Sequence, residues 1–351
     1  MEKIKLTELS NGGGCGCKIE PSILSEILKS STNMPIPDEL IVGTETSDDA
    51  AVYQLNETQA LIATTDFFMP IVDNPEHFGA IAATNAISDV YAMGGKPIIA
   101  LAIVGMPISK LSTDTISKIL SGGKNICSMA GIPVAGGHTI DSSEPIYGLV
   151  VMGLVHPKRI KKNSNANVGD KLILGKPIGM GIYSSALKKD ALSESQYSKM
   201  VHFGTQLNSI GYYLSSIPHV SSITDVTGFG LAGHAWEMAK GSNQDISIFW
   251  ENVPLLPGVN DLASKGFITG ASHRNSNSFE KKVVLDKQLS SMTKNLLFDP
   301  QTSGGLLVSV DANQVDDVLK EFEKKGYEAA EVGEVNKKSS SNPIVSVSQK
   351  P

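Results

Sequence analysis

The sequence predicts a two-domain protein of mixed α and β layers, and three observations carry that prediction. The chain has 351 residues, more than twice the ~150 residues of a typical single domain. Strand-like segments alternate with segments of helical spacing in both halves, which suits mixed layers and neither a bundle nor a sandwich. A basic and polar stretch at 157–169 reads as a linker between the halves. The implied divisions are a flexible glycine-rich loop at 1–20, an N-terminal domain at 21–156 and a C-terminal α/β domain at 170–351.

Residues 11–16 read Asn-Gly-Gly-Gly-Cys-Gly. Glycine at that density has too much backbone freedom to settle as helix or strand, so Cys15 and Cys17 are placed on a mobile loop. Residues 22–30 carry Leu24, Ile27 and Leu28 at helical spacing. Segments 50–55 and 60–68 read as strands around a polar turn. A helix is expected over 76–93, with Phe78, Ala82, Ala86 and Val90 on one stripe and Asn85, Ser88 and Asp89 converging on another. The apolar run 96–107 fits a buried strand, and 112–130 a helix whose start offers Ser, Thr and Asp caps. Gly136-Gly137-His138-Thr139 reads as a glycine turn before a strand at 146–155.

In the second half, a strand is expected at 171–174 and one helix over 194–215. A strand ending in Ile223-Thr224-Asp225 follows, then a helix to Met238 and a strand at 246–250. The glycine-bearing turn at 301–305 leads into an apolar strand, a helix over 312–325 and a closing strand near 329–335. Residues 336–351 read as a weakly ordered tail.

Composition narrows the function classes. A net charge of -6 offers no electrostatic footprint for a polyanion, so nucleic acid is excluded as a partner. The start lacks an apolar signal core and no run is long enough to span a bilayer, which predicts a cytoplasmic protein without membrane contact. Cys15, Cys17 and Cys127 make an odd count, which argues for reduced thiols over a disulfide framework. Cys127, on the helix over 112–130, reads as a small buried hydrophobe.

The chain contains no G-x-x-x-x-G-K-[ST] loop and no protein-kinase signature. It offers instead dispersed aspartates at strand ends and helix starts: Asp48, Asp49, Asp66, Asp89 and Asp225. Magnesium takes hard carboxylate oxygens together with phosphate oxygens and water, so a polyphosphate site without a P-loop needs such a set. Aspartate is also a common cap and turn residue. What separates these is context: Asp48 and Asp49 run straight into Ala50-Ala51-Val52, and Asp66 follows a largely apolar run. His138 reads either as a satisfied turn histidine or as part of a backbone nest for phosphate. Cys15-Gly16-Cys17-Lys18 is open to metal, redox or nucleophilic chemistry. Structural zinc is disfavoured because no second cysteine pair exists, and the ammonium of Lys18 would lower a neighbouring thiol pKa.

Seven segments together resemble the selenophosphate synthetase (selenide, water dikinase) family. They are Gly14-Cys15-Gly16-Cys17-Lys18, Thr46-Ser47-Asp48-Asp49-Ala50-Ala51-Val52, Thr64-Thr65-Asp66-Phe67-Phe68, Ala83-Thr84-Asn85-Ala86-Ile87-Ser88-Asp89, Gly136-Gly137-His138, Thr224-Asp225-Val226-Thr227-Gly228-Phe229-Gly230 and Asp299-Pro300-Gln301-Thr302-Ser303-Gly304-Gly305. They span nearly the whole chain in order, and the Cys-Gly-Cys-Lys loop separates this family from others of the aminoimidazole ribonucleotide synthetase superfamily.

The resemblance implies two α/β domains of the aminoimidazole ribonucleotide synthetase-like fold and a homodimer whose N-terminal domains share a β-barrel. It implies ATP at the domain junction, with Asp49, Asp66, Asp89 and Asp225 holding Mg2+. Thr46, Ser47, Asp48, Gly137, His138 and Thr139 would contact nucleotide beside Asp66 and Asp89. Lys18 would reach a phosphate, and Cys15 matches the family's essential cysteine or selenocysteine. The implied reaction turns selenide, ATP and water into selenophosphate, orthophosphate and AMP, with selenide or a selenium-delivery protein as partner. Asn11 stands where many members carry histidine. Two alternatives remain: another ATP-dependent enzyme of the superfamily, and a non-enzymatic thiol carrier of selenium or metal.

Overall fold

The computed structural model describes residues 5–10, 12–19, 23, 26, 27, 36–43 and 48–350. Asn11, Thr46 and Ser47 lie outside the described residues, as does most of the helix expected over 22–30. Two short 3-10 turns, Leu6–Leu9 and Gly14–Cys17, precede the first sheet.

The N-terminal half contains β1 (Leu40–Val42), β2 (Ala51–Gln54), β3 (Ala60–Phe68), helix α1 (Pro75–Ala92), β4 (Lys96–Met106), helix α2 (Thr113–Met129), β5 (Val134–Asp141) and β6 (Ile146–Val155). Its strands form one six-stranded sheet in the order β1-β2-β3-β6-β4-β5. Among the described residues only the β4–β5 pairing at its edge is parallel. Helix α1 starts on an Asn74 cap, whose side chain accepts from the His77 N–H at 3.0 Å, with Pro75 in the first turn. It is buried nearly all round. One side packs on α2, and the other faces the second half of the chain.

Two 3-10 turns, Pro157–Arg159 and Asn163–Asn165, carry the chain across. The second half runs β7 (Lys171–Leu174), α3 (Met180–Leu187), α4 (Glu194–Thr205), α5 (Ile210–Leu214), β8 (Val220–Asp225), α6 (Gly230–Ser242), β9 (Asp245–Phe249), α7 (Val259–Ser264), α8 (Gly270–Ser278), β10 (Val283–Leu285), α9 (Ser291–Leu297), β11 (Leu306–Val310), α10 (Val315–Lys324), β12 (Ala330–Asn336) and β13 (Val345–Ser348). The second sheet has seven strands in the order β10-β13-β9-β12-β7-β11-β8. Mixed layers in both halves are as the sequence predicts.

Three expectations need correction. The single helix over 194–215 is two helices, because residues 206–209 are held by bonds from elsewhere. Asn208 Nδ2 donates to Ser88 Oγ and to the Gly304 carbonyl, both at 2.8 Å, and Gln206 turns to extended backbone. These tertiary bonds outweigh helix continuation. The tail contains β13, inserted between β9 and β10 with Val345 and Val347 buried. Asp245 gathers it, accepting the N–H groups of Ser339 at 2.8 Å and Ile344 at 2.9 Å. The expected glycine turn at 136–139 lies inside strand β5. There Gly137 has φ +151, and a Cβ would stand 2.0 Å from the Ala102 carbonyl oxygen, so glycine serves strand pairing at this position.

Candidate active site

The site forms where α1 meets the second half of the chain. Asp66 comes from β3, Asn85, Ser88 and Asp89 from α1, Asp49 from the residues before β2, and Thr224 and Asp225 from the end of β8. Thr302 and Ser303 come from the loop before β11, and Cys15 and Lys18 from the Gly14–Cys17 turn and its end. Acidic groups from both halves therefore face one another.

Cys15 is 1% exposed. Its Sγ donates to Asn85 Oδ1 at 3.2 Å, and its N–H donates to Thr302 Oγ1 at 3.1 Å. The Ser303 N–H also donates to Asn85 Oδ1, at 2.8 Å, while Asn85 Nδ2 donates to Asp66 Oδ2 at 2.7 Å. Lys18 Nζ meets the same Asp66 oxygen at 3.1 Å. A continuous chain of bonds thus runs thiol, amide, carboxylate, ammonium. The expected loop is docked in this structure as a 3-10 turn, since burial of Cys15 and these bonds outweigh the freedom of its glycines.

Burial pushes the Cys15 thiol well above its ordinary range, and the charge of Asp66 adds to the push. Lys18 acts in the expected downward direction and loses. The expectation that Lys18 favours thiolate is therefore corrected: in this arrangement the sulfur is S–H. Burial also opposes the charge of Lys18, but the carboxylates of Asp66 and Asp89 outweigh it and hold the ammonium protonated.

The carboxylates repel one another. Asp49 is pushed well up by burial and then by Asp225 and Asp89, and Asp89 by burial, Asp225 and Asp66. Asp225 is raised by burial, against support from the Ser88 hydroxyl. Thr224 Oγ1 donates to Asp49 Oδ1 at 2.8 Å across the two halves, and Thr64 Oγ1 donates to Asp89 Oδ2 at 2.5 Å. Asp49 Oδ2 and Asp225 Oδ2 are buried without a hydrogen-bond partner among the described residues. Such orphaned anionic oxygens are what a cation relieves. Among the described residues no three of His, Cys, Asp and Glu stand close enough to enclose an ion alone. That fits magnesium, which commonly takes one or two carboxylates and completes its shell with phosphate and water.

The other predicted residues lie elsewhere. Asp48 Oδ1 accepts from the Asn163 N–H at 2.7 Å, tying the strand entrance to the crossing segment. Gly137, His138 and Thr139 are exposed on β5, at the far edge of the first sheet, and no hydrogen bond or ion pair joins His138 to the aspartates among the described residues. Cys127 is buried on α2 as expected. Sequence reasoning missed Lys176. This lysine is 1% exposed and donates to the carbonyls of Gln206 at 2.6 Å, Ser303 at 2.8 Å and Phe203 at 3.3 Å. A cation between Gly175 and Pro177 at the end of an apolar strand was the available signal.

Residues 47–155 match the family described as AIR synthase related protein, N-terminal domain, and residues 167–346 its C-terminal domain. The chain is 57% identical over 326 residues to "Selenide, water dikinase" of Dechloromonas aromatica (strain RCB), covering 93% of this chain and 94% of that one. It is 57% identical over 333 residues to the protein of the same name from Pseudomonas straminea, covering 94% and 93%. A solved structure of thiamine-monophosphate kinase from Stenotrophomonas maltophilia K279a superposes with a TM-score of 0.65 at 17% identity, covering 94% of this chain and 95% of that one. That last likeness concerns the fold. Among the described residues no helix is long and apolar enough to cross a membrane.

Proposed function

Because the chain belongs to the AIR synthase related family, and within it to the selenide, water dikinases, we propose that its buried carboxylate cluster and thiol turn form one phosphoryl-transfer site. The activity is ATP-dependent synthesis of selenophosphate from selenide and water, with AMP and orthophosphate released. The observation that carries the site assignment is the chain of bonds from Cys15 through Asn85 and Asp66 to Lys18, set beside orphaned oxygens on Asp49 and Asp225.

Asp49, Asp89 and Asp225, with Asp66 adjoining, are the residues that would hold Mg2+. When bound, the metal would neutralise phosphate charge and orient the polyphosphate. Lys18 adds a fixed positive charge next to Asp66, and Asn85 fixes where the Cys15 sulfur points. Overall, selenide takes one phosphoryl group, water takes another as orthophosphate, and both phosphoanhydride bonds of ATP break. The buried turn over the site supports exclusion of water from the selenium step.

We assign a homodimer as the working assembly. Strand β5 is exposed along most of its length, and Tyr53, Phe67, Ile98 and Ile140 expose apolar surface on the same sheet. Pairing of two such sheets would close a barrel. Nucleotide contacts from Gly137, His138 and Thr139, with Thr46, Ser47 and Asp48, belong to this proposal, as does delivery of selenium by a protein partner.

Phosphorus NMR of the products tests the function. Selenophosphate and AMP are expected only when reduced selenium and Mg2+ are both supplied. Equal AMP formation without selenium would overturn the reading.

A further inference from the structure

Lys176 follows strand β7 and is buried, yet its ammonium meets main-chain carbonyls and no carboxylate among the described residues. A buried charge without a counter-ion is costly, and an apolar side chain of similar volume would fill the space more cheaply. The carbonyls it holds indicate what the cation achieves. Those of Phe203 and Gln206 lie at the end of α4, and the third belongs to Ser303, 2.8 Å away in the loop before β11.

Ser303 has φ +55, a left-handed conformation that a residue with a side chain adopts only when its surroundings impose it. In that conformation it reaches α1 twice. Its N–H donates to Asn85 Oδ1 at 2.8 Å and its hydroxyl to the Ile81 carbonyl at 2.9 Å. The flanking backbone is equally confined. A Cβ on Gly304 would stand 1.9 Å from the Val226 carbonyl oxygen, and one on Gly305 would stand 2.3 Å from the backbone nitrogen of Lys176.

Both bonds that seat Cys15 pass through this loop. The sulfur is aimed by Asn85, whose acceptor oxygen is shared with the Ser303 N–H, and the Cys15 N–H donates to Oγ1 of the adjoining Thr302. We infer that Lys176 is a positioning residue for the reaction, whose ammonium holds the Ser303 carbonyl so that the left-handed turn keeps Asn85 and Thr302 aligned on Cys15. Without that donor, Ser303 relaxes towards ordinary backbone angles, its N–H leaves Asn85, and the thiol loses its fixed direction. The inference rests on the selenophosphate reading for its kinetic readout, while the placement of the thiol is measured without turnover.

The test uses the full-length protein and compares the wild type with Lys176→Met, Ser303→Gly and the double variant. Alkylation of Cys15 by iodoacetamide is followed by mass spectrometry, with Cys17 resolved by fragmentation. Lys176→Met should raise its rate about tenfold, as when one buried hydrogen bond ceases to hold the turn down. Cys127, buried on α2, should keep its wild-type rate. The kcat for selenide-dependent AMP formation should fall about tenfold to a hundredfold, with the KM for ATP within about twofold. Glycine adopts positive φ without penalty, so adding Ser303→Gly to Lys176→Met should recover most of both losses.

An unchanged Cys15 rate and kcat in Lys176→Met would overturn the inference. So would equal acceleration at Cys15 and Cys127, which marks general loosening, or a double variant no better than Lys176→Met. Should Lys176→Met fail to fold, Lys176→Gln, which retains two donors without the charge, is read in the same way. Wild-type AMP formation that ignores selenide would sink the functional reading and leave the alkylation rates to decide the role of Lys176, so the two failures are separable.

Discussion

The Sγ of Cys15 lies 3.2 Å from Oδ1 of Asn85, which joins a turn near the start of the chain to the first long helix. The other end of the same amide holds Asp66, so one neutral side chain sets both the thiol and the carboxylate that pairs with Lys18.

Replacing Asn85 with leucine should therefore damage turnover more than nucleotide binding. The variant leaves Asp66 Oδ2 without its amide donor and frees the sulfur, and a displacement of ~1 Å at a reacting centre costs about a hundredfold in rate. A fall of that order in kcat, with a smaller change in the KM for ATP, is expected from steady-state assays. An unaltered kcat would contradict the positioning role.

The aspartates make a pH-dependent case. A carboxyl whose folded pKa is raised contributes stability present below its unfolded value, near 3.8 for aspartate, and lost as pH rises through the folded value. Asp49 and Asp89 are both of this kind. Without metal, these two carboxyls should make stability fall as pH rises above their unfolded value, and Mg2+ with ATP should restore more of their contribution at pH ~8 than at pH ~6. At a hundredfold excess over Kd the gain in Tm is expected to be about 5 °C. Asp49→Asn should show a higher Tm in EDTA and a smaller response to metal; scanning calorimetry measures both.

Lys176 has the opposite sign. Burial lowers its pKa from 10.5 to about 7, with Asp225 opposing. Between those values the unfolded chain binds the extra proton, so this group makes stability rise with pH across that window. Urea unfolding at pH ~7 and pH ~10 should show that contribution in the wild type and its loss in Lys176→Met. The variant should also be less stable at the alkaline end, because the carbonyls of Phe203, Gln206 and Ser303 lose their donor.

Gly137 tests the assembly. In Gly137→Val the added atoms collide with the Ala102 carbonyl, so β5 should leave β4 and the exposed face should lose its shape. Sedimentation velocity is expected to find a dimer for the wild type and largely monomer for the variant. A monomeric wild type would remove the dimer proposal.

Where chemistry depends on local spacing, the sequence was readable. Asn85, Ser88 and Asp89 were expected on one face of a helix, and all three turn into the site. Asp66 at the end of an apolar run likewise sits among buried partners. The errors concern effects that act at a distance. Nothing within residues 206–209 announces that Ser88 and Gly304, far along the chain, will claim Asn208. The pattern Ser-Ser-Ser-Asn-Pro hid β13, whose stability comes from Asp245 and from neighbours on both sides. The state of Cys15 was misjudged for a related reason: adjacency to Lys18 is visible in the sequence, whereas enclosure and the charge of Asp66 are products of folding.

Strand β13 also constrains how the molecule is made. It fills the gap between β9 and β10, so the second sheet stays open during synthesis until residues 345–348 have left the ribosome. Until then both neighbours present bare edges able to recruit foreign chains. Truncation before Val345 would make that exposure permanent, and the consequence would be aggregation during expression, however complete the catalytic residues upstream.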